Sequence, residues 1–180
     1  IKTLTASSSG TLSFVHGSNG VVLDSTYPIY KFEFINIHPA TDNAEFTFNM
    51  SIDAGSNYNV TKTTTYFNTY HAEDGSGAGL GYNTNQDLAQ STAFQTLAED
   101  VGADNDQNLG GELTIYNPSS SVFVKHFMSR TSVTHGGNYM QDVYAAGYGN
   151  TTSDVDAIQF KFSSGAIGSG KIKLYGIKDS

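Results

Sequence analysis

Short segments that alternate apolar and polar residues recur along this chain. The clearest segment interleaves an apolar row with a polar row, namely Phe46, Phe48, Met50 and Ile52 with Thr47, Asn49 and Ser51. Successive side chains of a β-strand point to opposite faces of the sheet, so this period of two places one row in a core and the other in water. Repeated along most of the chain, the pattern predicts an all-β protein, an antiparallel sandwich or barrel.

The alternation and the intervening turn residues predict about eight to ten strands in one domain. The predicted strands cover residues 12–15, 30–38, 46–52, 61–70, 112–116, 122–130, 139–148, 156–162 and 171–177. Within residues 30–38 the apolar phase slips at Ile35 and Ile37, which indicates a β-bulge or burial of both faces. We expect these strands to form a jelly-roll-like β-sandwich. Its core would include Phe32, Phe34, Phe46, Phe48, Ile158, Phe160, Ile172 and Leu174.

Turn-forming residues predict how the strands connect. Residues 39–43 have the length and composition of a hairpin turn that joins residues 30–38 to residues 46–52. Residues 72–85 carry glycine at alternate positions from Gly75 to Gly81, which predicts a long loop. The apolar residues within 88–97 fit neither strand spacing nor helix spacing well. One short helix is one interpretation of this segment.

Composition and charge narrow the class of partner. Nine Lys and Arg residues against 17 Asp and Glu residues give a net charge of −8, and no basic stripe offsets it. This surface would repel phosphate backbones, so nucleic acid is not expected as a partner. No apolar run approaches the roughly 20 residues that span a bilayer, so membrane insertion is not expected. The chain has no cysteine, which excludes disulfides and thiolate chemistry.

No motif in the sequence carries a recognised catalytic chemistry. The five histidines do not form a short metal-ligand spacing, and no serine lies in a G-x-S-x-G elbow. We therefore expect a protein that is not an enzyme and has no cofactor. An enzyme that cleaves polysaccharide remains a minor alternative, because paired carboxylates cannot be located from sequence.

One acidic segment invites comparison with a calcium-binding loop. Asp104, Asp106 and Asn108 alternate, a spacing that can aim oxygen ligands at one ion. The EF-hand pattern itself fails, because Leu109 occupies the position where that loop needs glycine and Glu112 comes too early. A calcium site at these three residues is therefore a secondary expectation.

Tyrosine is the residue type that most suggests recognition. Tyr70, Tyr82 and Tyr139 fall in or beside predicted loops and polar strands. A tyrosine offers an apolar ring face and a hydroxyl, which suit both sugars and protein interfaces. These three residues are the candidate contacts for a glycan or a protein partner, although ordinary β-sheet packing also accounts for any one of them.

Several phrases spread over nearly the whole chain carry a family resemblance. They are LTASSS (4–9) with LSF (12–14), LDSTY (23–27) with YKFEF (30–34) and IHPATD (37–42), NPSS (117–120) with VKHF (124–127), and FSSG (162–165) with GKIKLYGI (170–177). In these phrases the chain resembles a domain of structural and tail-fibre-like proteins of tailed bacteriophages, particularly marine ones. The resemblance includes no catalytic residues.

The resemblance implies a β-sandwich module on a virion surface, as a tail fibre, a capsid-attached fibre or a decoration protein. Such a module would be assembled in the host cytoplasm, where a cysteine-free fold is at no disadvantage. It would contact other virion proteins, form a homo-oligomer, with a trimer expected for a fibre, and contribute to attachment to host surface glycans. Residues 1–23 are the expected attachment segment if the chain continues upstream of Ile1. The alternative is a carbohydrate-binding module, free or within a larger enzyme.

Overall fold

The computed structural model describes residues 1–179, which form twelve β-strands and no helix, and thus no helix able to cross a membrane. The strands are β1 Lys2–Ser9, β2 Leu12–Val15, β3 Ile29–Pro39, β4 Ala44–Ser51, β5 Lys62–Ala72, β6 Ala78–Tyr82, β7 Gln95–Val101, β8 Leu109–Tyr116, β9 Lys125–His135, β10 Tyr139–Gly149, β11 Ala157–Phe162 and β12 Ile167–Ile177. All pairings between strands are antiparallel. The predicted all-β antiparallel class is confirmed.

The strands form two sheets that pack face to face. The large sheet has the order β1-β12-β3-β8-β9-β10-β5-β6, and the small sheet has the order β7-β4-β11-β2. One bridge joins their strands, where Val101 of β7 lies opposite His135 of β9. Its backbone bonds run from the Gly102 amide to the Thr134 carbonyl oxygen at 3.1 Å and from the Gly136 amide to the Asp100 carbonyl oxygen at 3.0 Å. We call the side of the large sheet that faces the small sheet its inner face, and the opposite side its outer face.

Eight of the strands pair in a nested order. The β5–β6 hairpin is innermost in sequence, and the pairs β4–β7, β3–β8 and β2–β11 enclose it in turn. This nested pairing across two sheets is the jelly-roll connectivity. The β9–β10 hairpin is inserted between β8 and β5, and β12 and β1 extend the large sheet beyond β3.

The core lies between the sheets and is rich in phenylalanine. The Phe160 ring centroid, from the small sheet, lies 5.3 Å from that of Phe32 and 5.3 Å from that of Phe34, both on the large sheet. Phe46 stacks on the same ring at 5.9 Å. Aromatic pairs at these separations add attraction beyond the burial of apolar surface. All eight predicted core residues are buried, so that prediction is confirmed.

The predicted irregularity in β3 is a β-bulge. The register of β3 against β8 shifts between Phe34 and Ile37, and Asn36 between them has a φ of 50°. On β12, Gly170 has a φ of 115°, and a Cβ there would lie 2.5 Å from the Asn36 carbonyl oxygen. Only glycine tolerates this combination of backbone angle and close approach. The bulge returns Ile37 to the core, where it is fully buried.

Residues 39–43 do not close a hairpin, so that prediction is wrong. β3 pairs with β8 and β12 in the large sheet, whereas β4 pairs with β7 and β11 in the small sheet. The segment therefore crosses from one sheet to the other. The turn residues of this segment reverse the chain direction, but they do not determine which strands pair with β3 and β4.

The chain has three strands that the sequence pattern did not predict. β1 lies in the serine-rich start, β6 in the glycine-rich segment and β7 in the ambiguous segment. The expected loop over residues 72–85 and the optional helix over residues 88–97 are therefore corrected, and the strand count is twelve. Pairing with β5 holds the weak strand former β6 in an extended conformation, an example of tertiary context overriding propensity. Residues 1–23 supply an edge strand to each sheet, β1 and β2.

The polar row of β4 is buried, contrary to the expectation that it faces water. Thr47, Asn49 and Ser51 are all buried, whereas Ile52, expected with the apolar row, is exposed. The Asn49 amide donates to the carbonyl oxygens of Tyr58 and Thr92, at 2.7 and 3.0 Å. The segment after β4 thus covers the outer side of the small sheet, and hydrogen bonds offset the burial of its polar groups.

We predict that Phe160→Ala lowers the free energy of unfolding by about 3–5 kcal/mol, because the cavity removes contacts to both sheets. The matched control is Phe123→Ala at a residue that is 69% exposed, where a change within about 0.5 kcal/mol is expected. Urea denaturation followed by circular dichroism measures both values. Equal losses in the two variants would contradict the central role of Phe160.

Candidate functional site

The three candidate tyrosines lie on two different faces of the large sheet. Tyr70 on β5 and Tyr139 on β10 share the inner face, and their ring centroids are 5.8 Å apart at 88°. Tyr82 lies opposite Phe67 on β5. Phe67 is three residues from Tyr70, so the side chains of Phe67 and Tyr82 point to the outer face. The structure therefore brings Tyr70 and Tyr139 together and separates Tyr82 from them.

The Tyr70 ring lies against a glycine of the edge strand. A Cβ at Gly79 would lie 2.9 Å from the Tyr70 Cε1 atom, so only glycine leaves room for the ring. Tyr70 is nevertheless 40% exposed, because its end of the large sheet extends beyond the small sheet. The ring thus offers an accessible aromatic surface at the open end of the sandwich.

Tyr139 also lines a small pocket, which we call the end pocket. It encloses about 240 Å³ between the β5–β6 turn and the β9–β10 turn, and its lining residues are Ala72, Glu73, Asp74, Ser76, Gly137, Asn138 and Tyr139. The Glu73 amide donates to the Asn138 carbonyl oxygen at 3.1 Å, which joins the two turns. Hydrogen bonds from Ser76 lower the pKa of the Asp74 carboxyl, so the pocket wall is acidic.

Tyr139 is held in place by a histidine as well as by Tyr70. Its ring lies 5.4 Å from the His135 ring at 84°. His135 Nδ1 accepts a hydrogen bond from the Gly137 amide at 2.8 Å, so a neutral ring carries its proton on Nε2. Nε2 faces the Asp100 carboxylate at 3.4 Å. These contacts fix the orientation of one wall of the end pocket.

A buried acceptor beside Tyr70 was missed by reasoning from sequence. Gln141 lies directly opposite Tyr70 on β10, and its Oε1 atom is buried with no hydrogen-bond partner in the structure. Unpartnered buried polar atoms are uncommon in folded proteins. No sequence signal could have found this atom, because its isolation depends on the strands that surround it.

Tyr82 and the outer face use their aromatic rings differently. The Tyr82 hydroxyl donates to Asp87 at 2.5 Å, and this bond raises the pKa of Tyr82. Farther along the same row, Phe67 and Tyr144 stack at 4.8 Å with an angle of 2°, and the Arg130 guanidinium lies 5.1 Å from the Tyr144 centroid. Because these rings face one another, their flat faces are less available to a ligand than that of Tyr70.

The outer face also has an apolar groove between β8, β9, β10 and β5. It encloses about 510 Å³, and its lining includes Tyr116, Met128 and Tyr148. Met128 is 58% exposed at the centre of this face. Exposed apolar surface of this kind often marks a contact with another molecule.

The predicted calcium residues lie in the turn between β7 and β8. Asp104 and Asp106 are exposed and Asn108 is half-buried. The Asp104 amide donates to the Gln107 side chain at 3.1 Å, and the Gln107 amide donates back to the Asp104 carbonyl oxygen at 2.9 Å. Over residues 1–179, no three or more His, Cys, Asp or Glu side chains are grouped to hold a metal ion. Calcium at Asp104, Asp106 and Asn108 stays a prediction.

Two buried lysines form a polar row that the sequence pattern did not reveal. Lys62 and Lys125 lie opposite Gly149 on either side, and both are fully buried. Lys62 Nζ donates to Asn49 Oδ1 at 2.5 Å and to the Val60 carbonyl oxygen at 2.8 Å. Lys125 Nζ donates to the carbonyl oxygens of Ser120 and Phe123. Within the described part of the chain, neither ammonium forms an ion pair with a carboxylate.

These lysines make the stability depend on pH. Burial lowers the pKa of Lys62 from 10.5 to about 7, and burial lowers the pKa of Lys125 as well. Above pH 7 the unfolded chain therefore holds protons that folded Lys62 has released. The free energy of unfolding should rise between pH 7 and about 9.5, by at most about 1.4 kcal/mol per pH unit from Lys62, and Lys125 contributes in the same direction.

The measurement is urea denaturation at several pH values, with Lys62→Met compared to the unaltered chain. The variant should lose much of the rise, because only Lys125 then contributes. Lys161→Met, at a lysine that is not fully buried, is the control and should keep the rise. A flat profile in the unaltered chain would show that Lys62 keeps its proton throughout.

No protein-family model, curated protein sequence or solved structure matches this chain.

Proposed function

We propose that this protein is a non-enzymatic structural protein of a bacteriophage virion. It would be displayed on the particle as a tail fibre, a capsid-attached fibre or a decoration protein, and would form a homo-oligomer in contact with other virion proteins. The observation that carries the proposal is the nested pairing of β2–β11, β3–β8, β4–β7 and β5–β6. This jelly-roll connectivity recurs in viral capsid domains.

The fold alone does not select a virion role, because one fold serves many functions. The resemblance of residues 4–9, 23–42, 117–127 and 162–177 to phage structural proteins supports that choice. The composition agrees with it, since a fold without cysteine needs no oxidising compartment to mature. Attachment to the particle through residues 1–23 and contact with host glycans are parts of the same proposal.

Antibody labelling of intact phage particles, viewed by electron cryomicroscopy, tests the location. We expect label at regular positions, either over the head or along the tail. Antibody absorbed beforehand with the purified chain is the control and should leave the particles bare. If label is absent and mass spectrometry of purified particles does not detect the chain, the virion assignment is wrong. Label on the head would favour decoration, and label on the tail would favour host attachment.

A carbohydrate-binding module is the second candidate, and the Tyr70–Tyr139 pair favours it. Tyr70 offers a partly exposed ring 5.8 Å from the ring of Tyr139, which lines the acidic end pocket. A sugar ring would pack on Tyr70 while the carboxylates of Glu73 and Asp74 accept hydrogen bonds from its hydroxyl groups. The jelly-roll connectivity is also found among lectins. The two functions are compatible, because a virion protein can bind host glycans.

A multivalent glycan array followed by titration of the bound glycan tests this second candidate. Tyr70→Ala should weaken binding by at least about tenfold, which corresponds to about 1.4 kcal/mol of lost contact. Tyr82→Ala is the matched control on the opposite face and should bind like the unaltered chain. No binding on the array, or equal loss in both variants, would contradict a sugar site at Tyr70.

A further inference from the structure

β6 is the last strand of the large sheet, so one of its two edges is free. The hydrogen bonds at the two ends of β6 show which of its backbone groups point to β5 and which point to the free edge. At one end the Asn83 amide donates to the Tyr66 carbonyl oxygen at 3.0 Å, and at the other the Ala72 amide donates to the Gly77 carbonyl oxygen at 2.8 Å. In an antiparallel pair, alternate residues direct both backbone groups to the same neighbour. Gly79 and Gly81 lie two residues from Gly77 and Asn83 respectively, so their backbone groups also bond to β5. Ala78, Leu80 and Tyr82 direct their backbone N–H and C=O groups away from the sheet.

The other three edge strands carry devices that discourage pairing with a second chain. β1 includes a lysine, Lys2, and a residue with φ of 51°, Ser8. β2 is the shortest strand, with four residues against five in β6. β7 includes two acidic residues, Glu99 and Asp100. Charge, irregular backbone and short length are the usual protections of a sheet edge.

β6 lacks a charged residue, a proline and an irregular backbone angle. The stretch from Gly75 to Tyr82 is uncharged in a chain whose net charge is −8, so no charged side chain lies within the paired segment itself. Leu80 at its centre is 72% exposed. A free, neutral and apolar edge of this kind is a template for another strand.

We propose that two copies of this chain associate by pairing their β6 strands antiparallel about a two-fold axis. Leu80 would lie opposite Leu80 of the second copy, and Ala78 would lie opposite its Tyr82. In this register every outward N–H and C=O group of the three residues finds a partner, with two hydrogen bonds for each opposed pair. The glycines at positions 79 and 81 place no side chain in the contact. The two large sheets would then form one continuous sheet.

A second copy is the occupant that we propose for this edge because the sizes of the opposed residues match. A two-fold rotation about Leu80 places the small Ala78 opposite the large Tyr82 and Leu80 opposite Leu80, with glycine on either side of the axis. The contact is small beside the roughly 1,600 Å² that stable complexes bury. The dimer should therefore be weak in solution and stronger where copies are held close together on a particle.

This inference rests on the homo-oligomer in the proposed function, but not on the location in a virion. Sedimentation velocity of the full chain over a range of concentrations from about 1 μM to about 1 mM tests it. We expect a monomer that converts to a dimer as the concentration rises. Leu80→Pro removes one outward N–H group and leaves the β5–β6 bonds intact, and should weaken the dimer at least tenfold. Leu80→Lys introduces like charges at the axis and should have the same effect.

Met128→Lys is the matched control, because Met128 is exposed on the outer face away from the β6 edge. It should leave the dissociation constant within about twofold of the unaltered chain. Circular dichroism shows which variants are folded. If Leu80→Pro does not fold, Leu80→Lys and amide hydrogen exchange of the unaltered chain decide the question. The amides of Ala78, Leu80 and Tyr82 should exchange more slowly at the higher concentration.

Three results would overturn the inference. They are a monomer or a trimer at every concentration, a dimer that Leu80→Lys does not weaken, and a dimer that Met128→Lys weakens equally. The last result would assign the contact to the outer face. A chain that labels phage particles but stays monomeric would leave the virion location standing and reject both the homo-oligomer and the β6 contact. A chain that dimerises through β6 but is absent from particles would keep the β6 contact and reject the virion location.

Discussion

The packing of Phe160 between the two sheets is the interaction on which the rest of this structure depends. The strand ladder joins the two sheets at one bridge, where Val101 lies opposite His135, so the buried aromatic core holds them together over most of their area. Phe160 contacts rings of both sheets at once. The nested jelly-roll pairing brings these residues together from distant parts of the chain, and the core in turn fixes the relative position of the sheets.

The unequal size of the sheets explains where the recognition surfaces lie. Eight strands pack against four, so part of the inner face of the large sheet has no covering strand. On that face Tyr70 is 40% exposed and Tyr139 beside it is half-buried. β6 is a free edge because it is the last strand of the large sheet. The end pocket and the proposed contact between copies thus both lie at the β5–β6 side of the molecule.

Polar groups in the interior set a second constraint on the fold. Lys62 and Asn49 are buried together, and each satisfies the other within a network that includes backbone carbonyl oxygens. Burying an ammonium without a carboxylate partner costs stability unless its proton is released or its hydrogen bonds are good. Gly149 is part of this arrangement, because a Cβ there would lie 2.7 Å from Met50 Cε. The buried row of Lys62, Gly149 and Lys125 is therefore tightly packed as well as polar.

The sequence by itself determined the fold class, nine of the twelve strands, the β3 bulge and the eight core residues, because period-two alternation reports which side of a strand is apolar. Only the tertiary structure decided which strands pair, since the jelly roll joins segments far apart in sequence. This is why the hairpin expected after β3 was wrong, and why β6 pairs despite its glycines. The separation of Tyr82 from Tyr70 and Tyr139 depended on the register of β5, β6 and β10. The burial of Asn49 and Lys62 depended on the segment that covers them. A local sequence pattern reveals neither the register nor the covering segment.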